Sequence, residues 1–166
     1  MEWDDLTARY PVIVLEGCDG TGKTTLATEL EGQHGYTVIH SSRVDDPAGL
    51  ADAYRAVLHR PGKLALDRSF ISELVYGPLR EGRSRLTGRE AAELAFALAD
   101  RGGVLLHLTG HPVALAARLR ARDGYAPALE RLGTLITAYR DVFGALDGAA
   151  PIMTMDTTAK RVRRPV

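Results

Sequence analysis

Gly17-Cys18-Asp19-Gly20-Thr21-Gly22-Lys23-Thr24-Thr25 follows the apolar run Val12-Ile13-Val14-Leu15 and opens a helical pattern at Leu26, Ala27 and Leu30. The stretch fits G-x-x-x-x-G-K-[ST] in full. A glycine-rich turn at a helix N-terminus aims successive backbone N–H groups inward and forms a cup for phosphate oxygens. In such a cup Lys23 reaches the β- and γ-phosphates, and the Thr24 hydroxyl ligates Mg²⁺. The strand before and the helix after are the setting the motif requires, so Gly17, Asp19, Gly20, Thr21, Gly22, Lys23, Thr24 and Thr25 are the first candidates for binding ATP·Mg.

Working outward, Gly35 stops the first helix and Tyr36-Thr37-Val38-Ile39-His40 reads as a second strand, with Ser41, Ser42 and Arg43 at its C-terminal end. Asp46-Pro47 reads as a cap with proline in the first turn of a helix running to about Arg60. Lys63-Leu64-Ala65-Leu66 is a third buried strand that ends on Asp67-Arg68-Ser69. Ile71 to Tyr76 has helical spacing, and Gly77-Pro78 is expected to break it. Leu79 to Leu86 then reads as a basic loop carrying Arg80, Arg83 and Arg85. Thr87 and Glu90 have capping-box spacing ahead of a helix that Gly102-Gly103 ends.

Val104 to Leu108 is the fourth strand, and a helix starts near Pro112 and breaks at Asp123-Gly124. A longer helix spans Leu129 to Leu146, Pro151 to Met155 is the last strand, Asp156-Thr157-Thr158 turns, and residues 159–166 read as a loose basic tail. Strands alternating with helices imply a three-layer α/β architecture, here a five-stranded parallel sheet with helices on both faces. Ligands of such sheets bind beyond the carboxyl ends of the strands, which brings the phosphate loop, Ser41 to Arg43, Asp67 to Ser69 and Asp156 to Thr158 to one edge.

A chain of 166 residues is read as one domain. With 21 basic and 21 acidic residues it carries no global field that would draw it onto nucleic acid or membrane. The only cysteine, Cys18, cannot form an internal disulfide, and the acidic start lacks the pattern of a signal peptide, so a cytoplasmic location is expected. Cys18 sits beside a helix N-terminus, where a lowered thiol pKa and a simple packing role are both open. No apolar run approaches the ~20 residues of a membrane span.

Phosphoryl transfer asks a protein mainly for positioning and charge stabilisation. Asp67, ending an apolar strand, is the candidate to hold Mg²⁺ or to accept the acceptor's proton; an aspartate at a strand-to-helix turn can equally be a helix cap. Arg118 and Arg122 share a helix face, and they either fold over the transferring phosphate from a lid at about 118–126 or remain a solvated face.

Leu15-Glu16-Gly17 through Thr25, together with Asp67-Arg68-Ser69-Phe70-Ile71-Ser72-Glu73-Leu74-Val75-Tyr76, resembles the thymidylate kinase group of P-loop kinases. The family pattern after the third strand is Asp-Arg-Tyr, two residues, Ser, three residues, Tyr; Asp67, Arg68, Ser72 and Tyr76 match it, and Ser69 stands where the tyrosine does. The resemblance implies a P-loop kinase fold with a short arginine-bearing lid, an ATP- and Mg²⁺-dependent transfer to a pyrimidine deoxynucleotide or a modified relative, and a homodimer. It implies that Asp19 contacts the acceptor sugar and Arg68 its phosphate, with Arg43, Phe70, Ser72 and Tyr76 also on the acceptor, and that Asp156 and Thr157 border the adenine. Gly20 occupies the loop position where some members place a catalytic arginine, which shifts that role to Arg118 and Arg122. The family's thymine-reading helix between the second and third strands is missing here, and Gly77 stands for its glutamine. The segment from Gly77 to Leu86 looks like a loop of a phage branch that phosphorylates hydroxymethyluracil in DNA, which would set Arg80, Arg83 and Arg85 along a nucleic-acid backbone; a solvated loop is the other reading. A nucleotide-binding regulatory module and a small-metabolite kinase share the phosphate loop and complete the alternatives.

Overall fold

The computed structural model describes residues 3–41, 49–159 and 161–163. Arg43 and the Asp46-Pro47 cap lie outside the described residues, as do most of the residues between the second strand and the helix after it. The sheet is built from β1 (Val12–Glu16), β2 (Thr37–His40), β3 (Leu64–Asp67), β4 (Gly103–Thr109) and β5 (Ile152–Asp156), with a short β6 (Arg161–Arg163). Their order is β2-β3-β1-β4-β5-β6. The first five are parallel, as expected, and β6 runs antiparallel to β5. Part of the stretch read as a loose tail is therefore a strand, added at the edge of the expected five parallel strands to make a six-stranded sheet. Its pattern is invisible in advance because a three-residue edge strand has no periodicity to read.

β1 is a continuous apolar run because both its faces are covered. Val12 and Val14 join one core with α3 (Leu50–Leu58), α4 (Phe70–Glu81), α5 (Gly88–Asp100) and α7 (Leu129–Ala145). Ile13 and Leu15 face the other way, into a core with α1 (Trp3–Arg9) and α2 (Lys23–His34). α6 (Pro112–Asp123) follows β4 and packs Ala116 and Leu119 on Leu132 of α7. Helix α1, which no sequence pattern marks, closes that second core with Leu6, and Tyr10 just after it adds to the same core; at seven residues the helix is too short for its own period to show.

The predicted capping box of α5 forms in full. The Thr87 hydroxyl accepts from the Glu90 backbone N–H at 3.2 Å, and the Thr87 N–H donates to the Glu90 carboxylate at 2.8 Å. Helix α4 departs from expectation by running through Gly77 and Pro78 to Glu81. Proline costs it one backbone bond near its end. The returning chain offsets that loss, since Arg85 donates to Glu73 from both its N–H and its guanidinium, each at 2.8 Å. Gly77 makes this return possible, because a Cβ there would stand 3.0 Å from the Arg83 carbonyl oxygen.

Beneath the sheet's carboxyl edge His107 is buried and stacks on Phe143 at 4.5 Å and on Tyr139 at 6.2 Å. Burial lowers its pKa to about 4. The unfolded chain therefore takes up a proton near pH 6.5 that the folded one refuses until about pH 4, so stability is full above 6.5 and falls as the pH drops through that window. Between pH 7 and 5 wild type should lose ~2 kcal/mol more than His107→Phe. Urea unfolding of both proteins at the two pH values measures this difference, and parallel losses would refute it.

Candidate active site

Parallel register sets the carboxyl ends of the strands flush. Leu15, Asp67 and His40 lie side by side across β1, β3 and β2, and Thr109 stands beside Asp156 on β4 and β5. The phosphate loop leaves β1 at this edge, with Gly17 at φ 151°, Gly20 at φ 85° and Gly22 at φ 86°. Gly17 is also required sterically, because a Cβ would fall 2.0 Å from the Leu108 carbonyl oxygen of β4. Thr21 braces the loop from within, its hydroxyl donating to the Cys18 carbonyl at 2.8 Å.

Lys23 reaches back across the loop and donates to the carbonyls of Gly17 at 2.7 Å and Cys18 at 2.9 Å. Its ammonium is buried and lies near Arg68, and the two effects, burial first, lower its pKa to about 8. The Cys18 thiol moves the other way, pushed up to about 11 by burial, which removes the activated-thiol reading. A helix N-terminus did not prevail over desolvation at this position.

A cleft of about 440 Å³ opens over the loop. Asp67 and Thr24 meet in it, the Thr24 hydroxyl donating to the Asp67 carboxylate at 2.8 Å. His40 adds a contact from the other side, its Nδ1 standing 3.3 Å from the same carboxylate oxygen. Asp67 does not cap α4; Ser69 is the N-cap residue, its hydroxyl accepting from the Ile71 N–H. Arg68 takes a left-handed backbone, φ 73°, the one non-glycine residue among those described to do so. That turn carries its guanidinium to the Asp19 carboxylate at the loop's tip and to 5.7 Å from the Tyr76 ring centroid.

Glu16 holds this turn from beneath. Its carboxylate is completely buried and accepts from the Ser69 N–H at 2.5 Å, the Ser72 N–H at 3.1 Å and the Ser72 hydroxyl at 2.7 Å. The Ser69 hydroxyl and Tyr139 complete the set at 3.0 and 3.4 Å. Burial raises the Glu16 pKa despite these donors. Glu16, Tyr139 and His40 were not singled out beforehand. For His40 the available signal was its place at the end of a strand parallel to that of Asp67; Glu16 had only its place one residue before the loop.

The remaining expected residues divide clearly. Arg122 and Thr25 line the cleft, and the Arg122 guanidinium is paired with Asp123 at 2.6 Å. Arg118 lies alongside, donating to the Thr157 carbonyl at 2.8 Å and hydroxyl at 3.0 Å and to the Gly20 carbonyl at 3.4 Å. The face shared by Arg118 and Arg122 thus looks onto the loop, and the segment expected as a lid is the end of α6 and the chain after Gly124. Asp156 binds its own turn, accepting from the Thr158 N–H at 2.9 Å. Phe70 is buried against Tyr54 in the core, and the Ser72 hydroxyl is committed to Glu16, so both support the cleft instead of lining it. Of the basic loop, Arg80 packs over Tyr76 at 4.9 Å and Arg85 pairs with Glu73, while Arg83 is exposed.

The two oxygens of Thr24 and Asp67 suit Mg²⁺, which binds one or two protein oxygens and fills its octahedron with phosphate oxygens and water. The glycine loop suits a polyphosphate. Among the described residues, no group of three or more His, Cys, Asp or Glu side chains forms a cage for a metal held by protein alone. No described helix is long and apolar enough to cross a membrane.

No family model matches the chain, and no curated protein matches it. Solved structures do. The YorR protein of Bacillus subtilis, in complex with phosphorylated GDP, superposes with TM-score 0.76 at 24% identity over 88% of this chain and 85% of that one. A deoxyadenosine kinase from M. mycoides with bound dCTP gives 0.60 at 15% identity, covering 88% and 90%. Shikimate kinase from Acinetobacter baumannii, in complex with shikimate, gives 0.50 at 16% identity, covering 92% and 86%. The fold is that of the P-loop kinases.

Proposed function

We propose that this chain is an ATP- and Mg²⁺-dependent phosphotransferase that moves the γ-phosphate to a pyrimidine deoxynucleotide or a closely related deoxynucleoside. The observation that carries the reading is the meeting of Thr24 and Asp67 at 2.8 Å, in the cleft that Lys23 and Arg68 also line. Loop N–H groups and Lys23 hold the donor's phosphates, and the Thr24 and Asp67 oxygens hold the metal ion. Mg²⁺ bound there neutralises phosphate charge. In this reading Asp67 holds the metal through water or takes the acceptor's proton, and Arg68, paired with Asp19, holds the acceptor's phosphate. Arg122 and Arg118 bring further positive charge to the cleft's rim when they leave Asp123 and Thr157.

A deoxynucleoside-type acceptor is supported by the Asp67-Arg68 segment and by the deoxyadenosine kinase among the structural neighbours, which has been seen with dCMP as well as dCTP. The hydroxymethyluracil-DNA reading is disfavoured by Arg80 and Arg85, which turn onto Tyr76 and Glu73 instead of forming an open basic track. Labelled γ-phosphate from ATP·Mg should appear on a free deoxynucleoside or its monophosphate in a panel that also includes shikimate and DNA with and without hydroxymethyluracil. Asp67→Asn should slow that transfer roughly 10²- to 10³-fold. Label on modified DNA alone, or an Asp67→Asn protein of full activity, would defeat the proposal.

A further inference from the structure

The cleft over the phosphate loop is lined by charged, hydroxyl and glycine residues and the His40 imidazole, with no aliphatic side chain. Phosphates and a metal are the groups such a lining suits best. A second cavity, of about 460 Å³, lies between α4 and the first turns of α7. The two adjoin through one pair of residues: Arg68 lines the first, and its guanidinium stands 5.7 Å from the ring of Tyr76, which lines the second.

The second cavity has a different chemistry. Tyr76 and the Arg80 guanidinium, 4.9 Å from the Tyr76 ring centroid, provide flat faces, and Leu79 and Leu135 provide apolar ones. Arg131 and Glu130 on α7 add a donor and an acceptor, and the Thr134 hydroxyl, which donates to the Glu130 carbonyl at 3.0 Å, adds a second acceptor. Flat faces beside a mixed polar edge match a nucleobase, whose rings stack and whose rim carries donors and acceptors. The volume falls within the range of about 300–1,000 Å³ common to small-ligand sites.

We propose that the cavity between α4 and α7 receives the heterocycle of the acceptor nucleoside, with Arg131 and Thr134 meeting its polar edge while Arg68 holds its reacting end. This rests on the phosphotransferase reading above. It assigns base recognition to the first turns of α7.

The test is calorimetric titration of the full chain with the four common deoxynucleosides and their monophosphates, and separately with ATP·Mg. Wild type is compared with Thr134→Phe, which fills the cavity from an exposed position, and with Arg131→Ala. At least one nucleoside or monophosphate should bind wild type, and each substitution should raise its Kd tenfold or more while the ATP·Mg Kd stays within twofold. Unchanged nucleoside binding in both variants, with melting temperatures equal to wild type, would overturn the inference and leave the phosphotransferase reading standing. No binding of any panel member at millimolar concentration, with ATP·Mg still bound, would remove the nucleoside acceptor itself and the inference with it.

Discussion

Lys23→Met should abolish phosphate transfer and yet raise the melting temperature at neutral pH. Transfer should fall at least ~10³-fold, because a buried cation at the site of developing phosphate charge is worth several kcal/mol in the transition state. Stability should move the other way. Burial and the Arg68 charge lower the Lys23 pKa from 10.5 to about 8, so at pH 7 the folded state carries an ammonium that it disfavours relative to the unfolded chain. Methionine removes that cost and forfeits the two bonds to Gly17 and Cys18, leaving a net gain on the order of 1 kcal/mol. The sign can be checked through its pH dependence. Between pH 8 and 10.5 the folded lysine has lost its proton and the unfolded one has kept it, so wild type gains stability as pH rises while Lys23→Met does not. The melting-temperature advantage of Lys23→Met should therefore shrink and then reverse over that interval; an advantage that grows would contradict the assignment. For the same reason, kcat/KM for ATP should decline above about pH 8, where the free enzyme's Lys23 becomes neutral.

Glu16→Ala is the second large effect, and it is on folding. Removing this carboxylate strands the Ser69 backbone N–H in a site with no access to water and takes one of two acceptors from the Ser72 N–H, which keeps the Ser69 carbonyl at 3.1 Å. Each buried donor left unpaired costs about 1–3 kcal/mol, and the hydroxyls of Ser69, Ser72 and Tyr139 lose a shared acceptor. A loss of roughly 3 kcal/mol would consume much of a typical domain's stability. Glu16→Gln should be tolerated. Its oxygen can accept from the two N–H groups and its NH₂ can donate to the hydroxyls, and burial already pushes the glutamate toward its uncharged form. Circular dichroism melts of the two variants decide the matter: an alanine variant as stable as wild type would show that Glu16 does not organise the turn.

The phosphate loop, the delivery of Asp67 by a buried strand, the capping box at Thr87 and the one-edge clustering of functional loops were all legible in the sequence, because each rests on local pattern or on strand-end topology. Illegible features depend on contacts between distant segments. Pro78 looked like a helix terminator since its neighbour Glu73 could not be seen to be bridged by Arg85. Arg80 and Arg85 looked like an open basic run until Tyr76 and Glu73 were found beside them. Glu16 stands between the apolar run and the phosphate loop with no role readable from the sequence, and nothing within its own stretch shows five donors converging on it. Cys18 was open in sign because two opposing physical effects act on a thiol there, and only the extent of burial decides between them.

Gly17 and Leu108 carry a consequence for the sequences this fold will accept. The Leu108 carbonyl sits 2.0 Å from where a Cβ on residue 17 would be, so the constraint is imposed by a main-chain atom that every amino acid possesses. No change of side chain at 108 can relieve it. In a library randomised at both positions, substitutions at 108 should be filtered only by their fit to the core, while position 17 should return glycine whatever its neighbour has become. The two sites touch, yet they should vary without correlation.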